Sequence, residues 1–392
     1  MTPQLAVRPD WVAEPGRKAF IVGVVGLLAS LIGAFVDPDH FFRSYLIAYV
    51  FWVGIPIGCL AVVMLHHMTG GGWGIVIRRI LESGTRTLPV MAALFLPLLF
   101  GLDRIYLWAQ PDKVASDPAL QHKSLYLNIP FFVGRAAFYF AAWCALAWIL
   151  NRWSRQQDAR PGEDFARRFE LVSAPGLLLL VLTVTFASVD WFMSLEPHWF
   201  STIYGAQMVV GQLLSAFAFV VAVLIWLAQR EPLAGVLSRV HLHDLGKLLF
   251  AFVMLWAYLA LSQFLIIWSG NLPEEIPWYM KRTAGGWQYV ALAVVIFHFA
   301  LPFLLLLPQS GKNKGRRLVK VAALVVFMRL VDTFWMAAPA FKETLADLHW
   351  LDLTAAVGLG GVWMGLFARE LRKMPLLPIG DPSLMEAITH EH

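Results

Sequence analysis

Ten runs of about 20 apolar residues follow one another along the chain, separated by short stretches of charges, prolines and aromatic residues. At about 1.5 Å per residue, a helix of that length crosses a hydrocarbon core of roughly 30 Å. The runs are continuously apolar, whereas membrane-barrel strands are shorter and alternate in polarity. In lipid each backbone polar group needs a partner within the protein, and outside a closed barrel only a helix supplies one. The pattern predicts an all-α polytopic membrane protein with spans at 19–36, 44–66, 87–109, 125–150, 172–194, 204–228, 245–268, 287–307, 318–337 and 351–368.

The segments between the runs orient them. Trp11, Tyr45, Trp108, Trp199, Trp278, Trp287 and Trp350 lie at span ends, where amphipathic rings favour the headgroup region. Lys and Arg favour alternate connections by roughly three to one, which predicts both termini on the cytoplasmic side of the membrane. Residues 1–18 carry prolines and charges without an apolar core, so they do not read as a signal peptide. The stretch Gly70–Gly74 lacks the ending of a phosphate loop. With the following Trp-Gly-Ile-Val-Ile-Arg-Arg it predicts an interfacial helix whose Arg78, Arg79 and Glu82 face water. His66 and His67, and likewise His241, His243 and Asp244, read as exposed span ends.

Composition agrees and narrows the chemistry. Of 392 residues 59% are hydrophobic and 15% charged, against about 25% charged in soluble domains. The net charge of +5 sits at span ends, so it points to the membrane surface and not to nucleic acid. Cys59 and Cys144 form no CxxC, haem-attachment or iron–sulfur pattern and read as small core residues. His298 is the one histidine well inside a span, so a bis-histidine haem site cannot be assembled, and no metal-ligand cluster is visible. The expectation is a chain with no cofactor or metal of its own.

An internal echo suggests two related halves. Asp37-Pro-Asp-His-Phe-Phe precedes span 2 and Glu196-Pro-His-Trp-Phe precedes span 6. Arg167-Arg168 leads into a span ending Val-Asp190-Trp-Phe-Met, and Arg316-Arg317 into one containing Val-Asp332-Thr-Phe-Trp-Met. The predicted organisation is a cytoplasmic segment 1–18, peripheral span 1 at 19–36, and four-helix bundles at 37–194 and 195–337. Peripheral span 10 follows within 338–368, then a cytoplasmic tail at 369–392.

Charges inside spans cost about 2.5–3.5 kcal/mol on insertion scales and mark candidate sites. Arg135, His298 and Arg329 fall near mid-depth, Asp332 and Asp190 farther out, and Asp103 with Arg104 toward the outer end of span 3. Each has a plain structural reading. Arg329 and Asp332 are three apart and can neutralise each other; Arg135 can pair with Asp190 or Asp103; His298 can be a satisfied core residue; Asp190 can be a helix-end carboxylate. The doubled acid favours a proton path, which Thr183, Thr185, Gln212 and Ser215 could continue, although hydroxyls and amides also serve as interhelical contacts, as Ser262 and Gln263 could.

The string Asp190-Trp-Phe-Met-Ser-Leu-Glu-Pro-His-Trp-Phe-Ser-Thr-Ile-Tyr-Gly205 resembles the F subunit of alternative complex III, in the NrfD/polysulfide-reductase-like membrane family. Phe51-Trp-Val-Gly-Ile-Pro-Ile-Gly58, His66-His67 and Val331-Asp-Thr-Phe-Trp335 support it. The resemblance implies a cofactor-free subunit of a respiratory or photosynthetic quinol:electron-acceptor oxidoreductase. Its partners would be a larger C-type subunit of the same fold that oxidises quinol, an iron–sulfur subunit and c-type cytochromes. It also implies a proton-conducting role. Two alternatives stay open. One is a quinol site, for menaquinol or ubiquinol, near the outer face of the first bundle, with Asp103 or Asp190 accepting a proton. The other is a secondary transporter acting alone.

Overall fold

The computed structural model describes residues 8–160, 165–308 and 315–389. Among these, ten helices are long and apolar enough to cross a membrane. They are α1 (Asp10–Val36), α2 (Pro38–Thr69), α3 (Gly72–Phe100), α4 (Ile129–Ala159), α5 (Ala166–Leu195), α6 (Tyr204–Leu227), α7 (Arg239–Gly270), α8 (Trp287–Leu306), α9 (Gly315–Ala340) and α10 (Trp350–Leu371). No strand occurs among the described residues. The chain is an all-α, multi-pass membrane protein.

Helices α2 and α6, which follow the two echoed sequences, are the most enclosed and pack against each other. Glycine permits the contact: a Cβ at Gly58 would stand 2.3 Å from the Gln212 carbonyl oxygen. Helix α2 also meets α3, α5 and α10, while α6 meets α5, α7 and α9. Helices α4 and α8 pack on α5 and α9 respectively. Helices α1 and α10 pair closely along a seam of small residues, where a Cβ at Gly23 would fall 2.1 Å from the Val362 nitrogen. The other side of α1 (Ile21, Val25, Ile32, Phe35) is exposed hydrocarbon, as lipid requires.

Helix ends follow local chemistry. Asp37 caps α2 by accepting from the His40 backbone N–H at 3.1 Å, with Pro38 in the first turn, so α2 begins before the apolar run does. Asn128 caps α4 by accepting from the Phe131 backbone N–H. Within α8, Val294–Ala300 adopts a π-helical turn that carries His298.

The structure corrects the reading of the third span. Helical structure starts at Gly72 and runs on to Phe100 with a short break at 86–87, so the stretch read as an interfacial helix belongs to α3. Arg78, Arg79 and Glu82 do not face water: all three are at most 2% exposed. Their charges are met inside the protein. Arg78 donates to Glu82 (3.0 Å) and Asp381 (2.6 Å), Arg79 to Glu82 (2.7 Å) and Asp158, and Arg86 to Glu82 (3.4 Å). Ser154 donates to Glu82 at 2.6 Å, and Gln157 accepts from Arg78 at 3.0 Å. Three arginines against three carboxylates leave no net charge in the cluster, which removes the reason to seek water.

The histidine ends are corrected as well. His66 is buried against Gly74, with its ring 3.2 Å from the Gly71 carbonyl; His67 stacks on Phe169 at 4.2 Å; and His241 caps α7 and meets the Ala387 carbonyl at 3.0 Å. The segment after α10 supplies several of these partners, folding across the face where the chain begins, with Leu376, Leu377 and Leu384 buried.

Candidate functional site: buried charge in two halves

In the first half the candidates converge on one pair. Arg135 of α4 and Asp190 near the end of α5 form a bidentate ion pair, Nε to Oδ2 at 2.9 Å and Nη2 to Oδ1 at 2.8 Å. Tyr139, one turn along α4 from Arg135, donates to Asp190 Oδ2 at 2.8 Å. The third arginine nitrogen donates to the Tyr126 carbonyl at 2.9 Å, and the guanidinium lies 3.8 Å from the Tyr126 ring centroid and 4.4 Å from that of Phe131. Asp190 is 1% exposed. Both its oxygens are engaged, by three directed hydrogen bonds.

Thr183 sits two turns along α5, accepts from the Trp143 indole N–H at 2.8 Å and donates to the Leu179 carbonyl at 2.8 Å. It ties α4 to α5. Thr185 packs its methyl against Gly205 of α6. Asp103 is not part of this site: it lies past the end of α3 in a short helix, Leu102–Ile105, on whose exposed side it sits with Arg104, which pairs with Asp39.

The second half is built differently. Arg329 and Asp332 are paired on one face of α9, both at most 2% exposed. Arg329 also reaches α6, donating to Ser215 Oγ at 3.4 Å, while Ser215 donates to the Gly211 carbonyl at 2.8 Å. Gly211 makes room for the guanidinium: a Cβ there would lie 2.3 Å from an Arg329 nitrogen. The Trp256 indole of α7 stands beside Asp332 and edge-on to His298 of α8, ring centroids 4.2 Å apart. His298 is fully buried within reach of the Arg329 charge.

Among the described residues neither ring nitrogen of His298 has a partner, and the same holds for both amide atoms of Gln263 and for the side-chain oxygens of Gln207 and Gln212. Desolvated polar atoms without partners cost about 1–3 kcal/mol each, and bound water is their usual remedy. Gln212 otherwise packs against Gly54 of α2.

Beyond Asp332 the charges continue. Tyr204 lies within electrostatic reach of Asp332, Arg282 and Glu196, and Tyr279 of Asp332 and Arg282. Arg282, 1% exposed, donates to Glu196 at 2.9 Å and to the Met336 carbonyl at 2.6 Å; Lys281 donates to Glu196 at 2.9 Å. The acids and bases thus run from His298 through Arg329 and Asp332 to Glu196, which is part-exposed at the face opposite the chain's start. Glu196, Arg282 and Tyr139 were missed from sequence, the first two because they fall in connections. The Glu196-Pro motif was the available signal.

Among the described residues no group of three or more His, Cys, Asp or Glu side chains could hold a metal. Cys59 is buried and Cys144 half-buried, both free. No protein-family model matches the chain, and none of the curated proteins compared with it is similar.

Proposed function

We propose that this chain is a cofactor-free membrane subunit of a quinol:electron-acceptor oxidoreductase of the alternative complex III type, and that its second half carries a proton half-channel. The observation carrying the proton path is the buried set His298, Arg329 and Asp332, in which both ring nitrogens of His298 lack a partner among the described residues; Gln263, also buried and unpartnered, lies two turns along α7 from Trp256. Titratable groups in a membrane interior, paired and flanked by sites for water, suit proton passage better than packing alone. The assignment to a complex rests on the resemblance along Asp190–Gly205. Quinol oxidation then belongs to the C-type partner, and iron–sulfur clusters and haem c to other subunits. With both termini in the cytoplasm, Glu196 and Lys281 stand at the periplasmic mouth.

Quinol binding in the first half draws less support, because Asp190 has both oxygens engaged and Asp103 is at the surface.

The test uses the intact complex in proteoliposomes. Purification in mild detergent should bring c-type haem with this chain, whereas a stable lone protein that binds a solute would favour a transporter. Arg329→Gln with Asp332→Asn keeps the site neutral, so assembly and haem content should persist while protons moved per electron fall. Full proton movement in that variant would remove Asp332 from the path.

A further inference from the structure

A second feature lies away from these charges, on the face where the chain begins. The start of α1 and the ends of α6 and α10 enclose a cavity of about 310 Å³. Its walls include Val12, Ala19, Phe219, Val223, Trp226 and Phe367, and they offer hydrocarbon and one indole. At its head, Trp11 packs on Trp226 with ring centroids 4.6 Å apart. Arg230 lies over Trp11 at 4.4 Å, and Arg372, which directly follows the lining residue Leu371, reaches Asp10 at 3.5 Å.

Residues 10 and 11 therefore hold two guanidinium groups at the mouth of an apolar slot. Arg230 is exposed, and among the described residues its ring contact leaves its N–H groups free to bind an anion. Among the same residues Arg372 has a single long pairing, with an Asp10 side chain that is 78% exposed, and its Nε is buried without a partner. An ion pair between exposed groups at that distance contributes little, so an incoming phosphate can displace it.

We infer that this groove binds an anionic phospholipid, with an acyl chain against the α1–α6–α10 walls and the phosphate between Arg230 and Arg372. The chemistry selects the headgroup. Planar guanidinium donors match phosphate oxygens in a forked geometry. No hydroxyl, carboxylate or imidazole lines the slot to position a quinone ring. The inference requires only that the chain spans a bilayer, so it stands or falls separately from the proton path.

The full chain, purified in detergent, is mixed with phosphatidylglycerol, with phosphatidylcholine of the same acyl chains, or with menaquinone, and bound molecules are counted by native mass spectrometry. Each arginine at a membrane surface favours an anionic lipid by about fivefold, so roughly a 25-fold preference for phosphatidylglycerol is expected. Arg230→Gln with Arg372→Gln should abolish that preference while leaving weak binding of both lipids. Ala222→Phe, which fills the half-buried slot from α6, should remove binding of both. Equal retention of the two phospholipids, preferential retention of menaquinone, or an unchanged preference in the double variant would overturn the assignment.

Discussion

Asp190→Asn removes one charge from the first half and leaves the side-chain volume nearly unchanged. In the native pair Arg135 makes two hydrogen bonds to the carboxylate, at 2.9 and 2.8 Å, and Tyr139 a third at 2.8 Å. An amide offers one oxygen, so its NH₂ must face either a guanidinium or a phenol donor. Water cannot repair the loss, because Asp190 is 1% exposed and Arg135 9%. Breaking a buried pair from one side costs about 3–5 kcal/mol. The contacts of Arg135 with the Tyr126 and Phe131 rings, at 3.8 and 4.4 Å, survive and offset about 1 kcal/mol. The net expectation is a loss of about 2–4 kcal/mol, roughly thirty- to several-hundredfold in the folded population.

Denaturation of the purified chain in detergent measures this loss, and membrane abundance should fall with it. Arg135→Met combined with Asp190→Leu removes both charges and should restore stability to within about 1 kcal/mol, since apolar replacements of buried pairs are often neutral. A stable Asp190→Asn protein would mean that the ion pair does not hold α4 to α5. If that protein also lost proton movement in the assembled complex, Asp190 would be the working acid and the division between the halves would be wrong.

Other perturbations separate packing from function. Asp332→Asn alone strands Arg329 and should lower assembly by about 3–5 kcal/mol of stability; adding Arg329→Gln should restore assembly but not proton transfer, read as haem-normalised proton flux. Glu82→Gln leaves three arginines around a neutral side chain and should cost at least as much as Asp190→Asn, measured by the same denaturation. A reporter fused after His392 or inserted between Arg152 and Arg167 should read cytoplasmic and one near Glu196 periplasmic; a periplasmic signal at His392 would mean that a span has been miscounted. Expressed alone, the chain should show no haem absorbance, and stoichiometric haem would overturn its cofactor-free assignment.

Hydropathy carried the ten spans, because lipid imposes length and apolarity on each helix separately. It placed ends poorly where polar residues are buried. Helix α4 continues to Ala159 because Asn151, Ser154 and Gln157 find partners in α3, and α3 starts at Gly72 because Arg78 and Arg79 do. Their distant partners, Asp158 and Asp381, are 79 and 303 positions away, beyond any local pattern. Arg329–Asp332 was legible because both members share one helix turn. Arg135–Asp190 was one of two pairings the sequence allowed, and only the docking of α4 on α5 selects it. The unpartnered state of His298 could not be read at all, since it depends on what three other helices withhold.

The sequence echo treats Asp190 and Asp332 as equivalents, yet their surroundings diverge on the preceding helix. The first half carries Arg135 on α4, which comes to the acid from a neighbouring helix and fills both oxygens. In the second half α8 carries His298 instead, and the arginine lies on the acid's own helix. That exchange has a physical consequence. A guanidinium stays charged at any pH the cell meets and locks its carboxylate, whereas an imidazole can take and release a proton. The π-helical turn at Val294–Ala300 presents this imidazole to α7 and α9 with neither nitrogen bonded to a described protein group. The Arg135–Asp190 pair thus fastens α4 to α5, and the proposed proton path would use the imidazole that the second half carries instead.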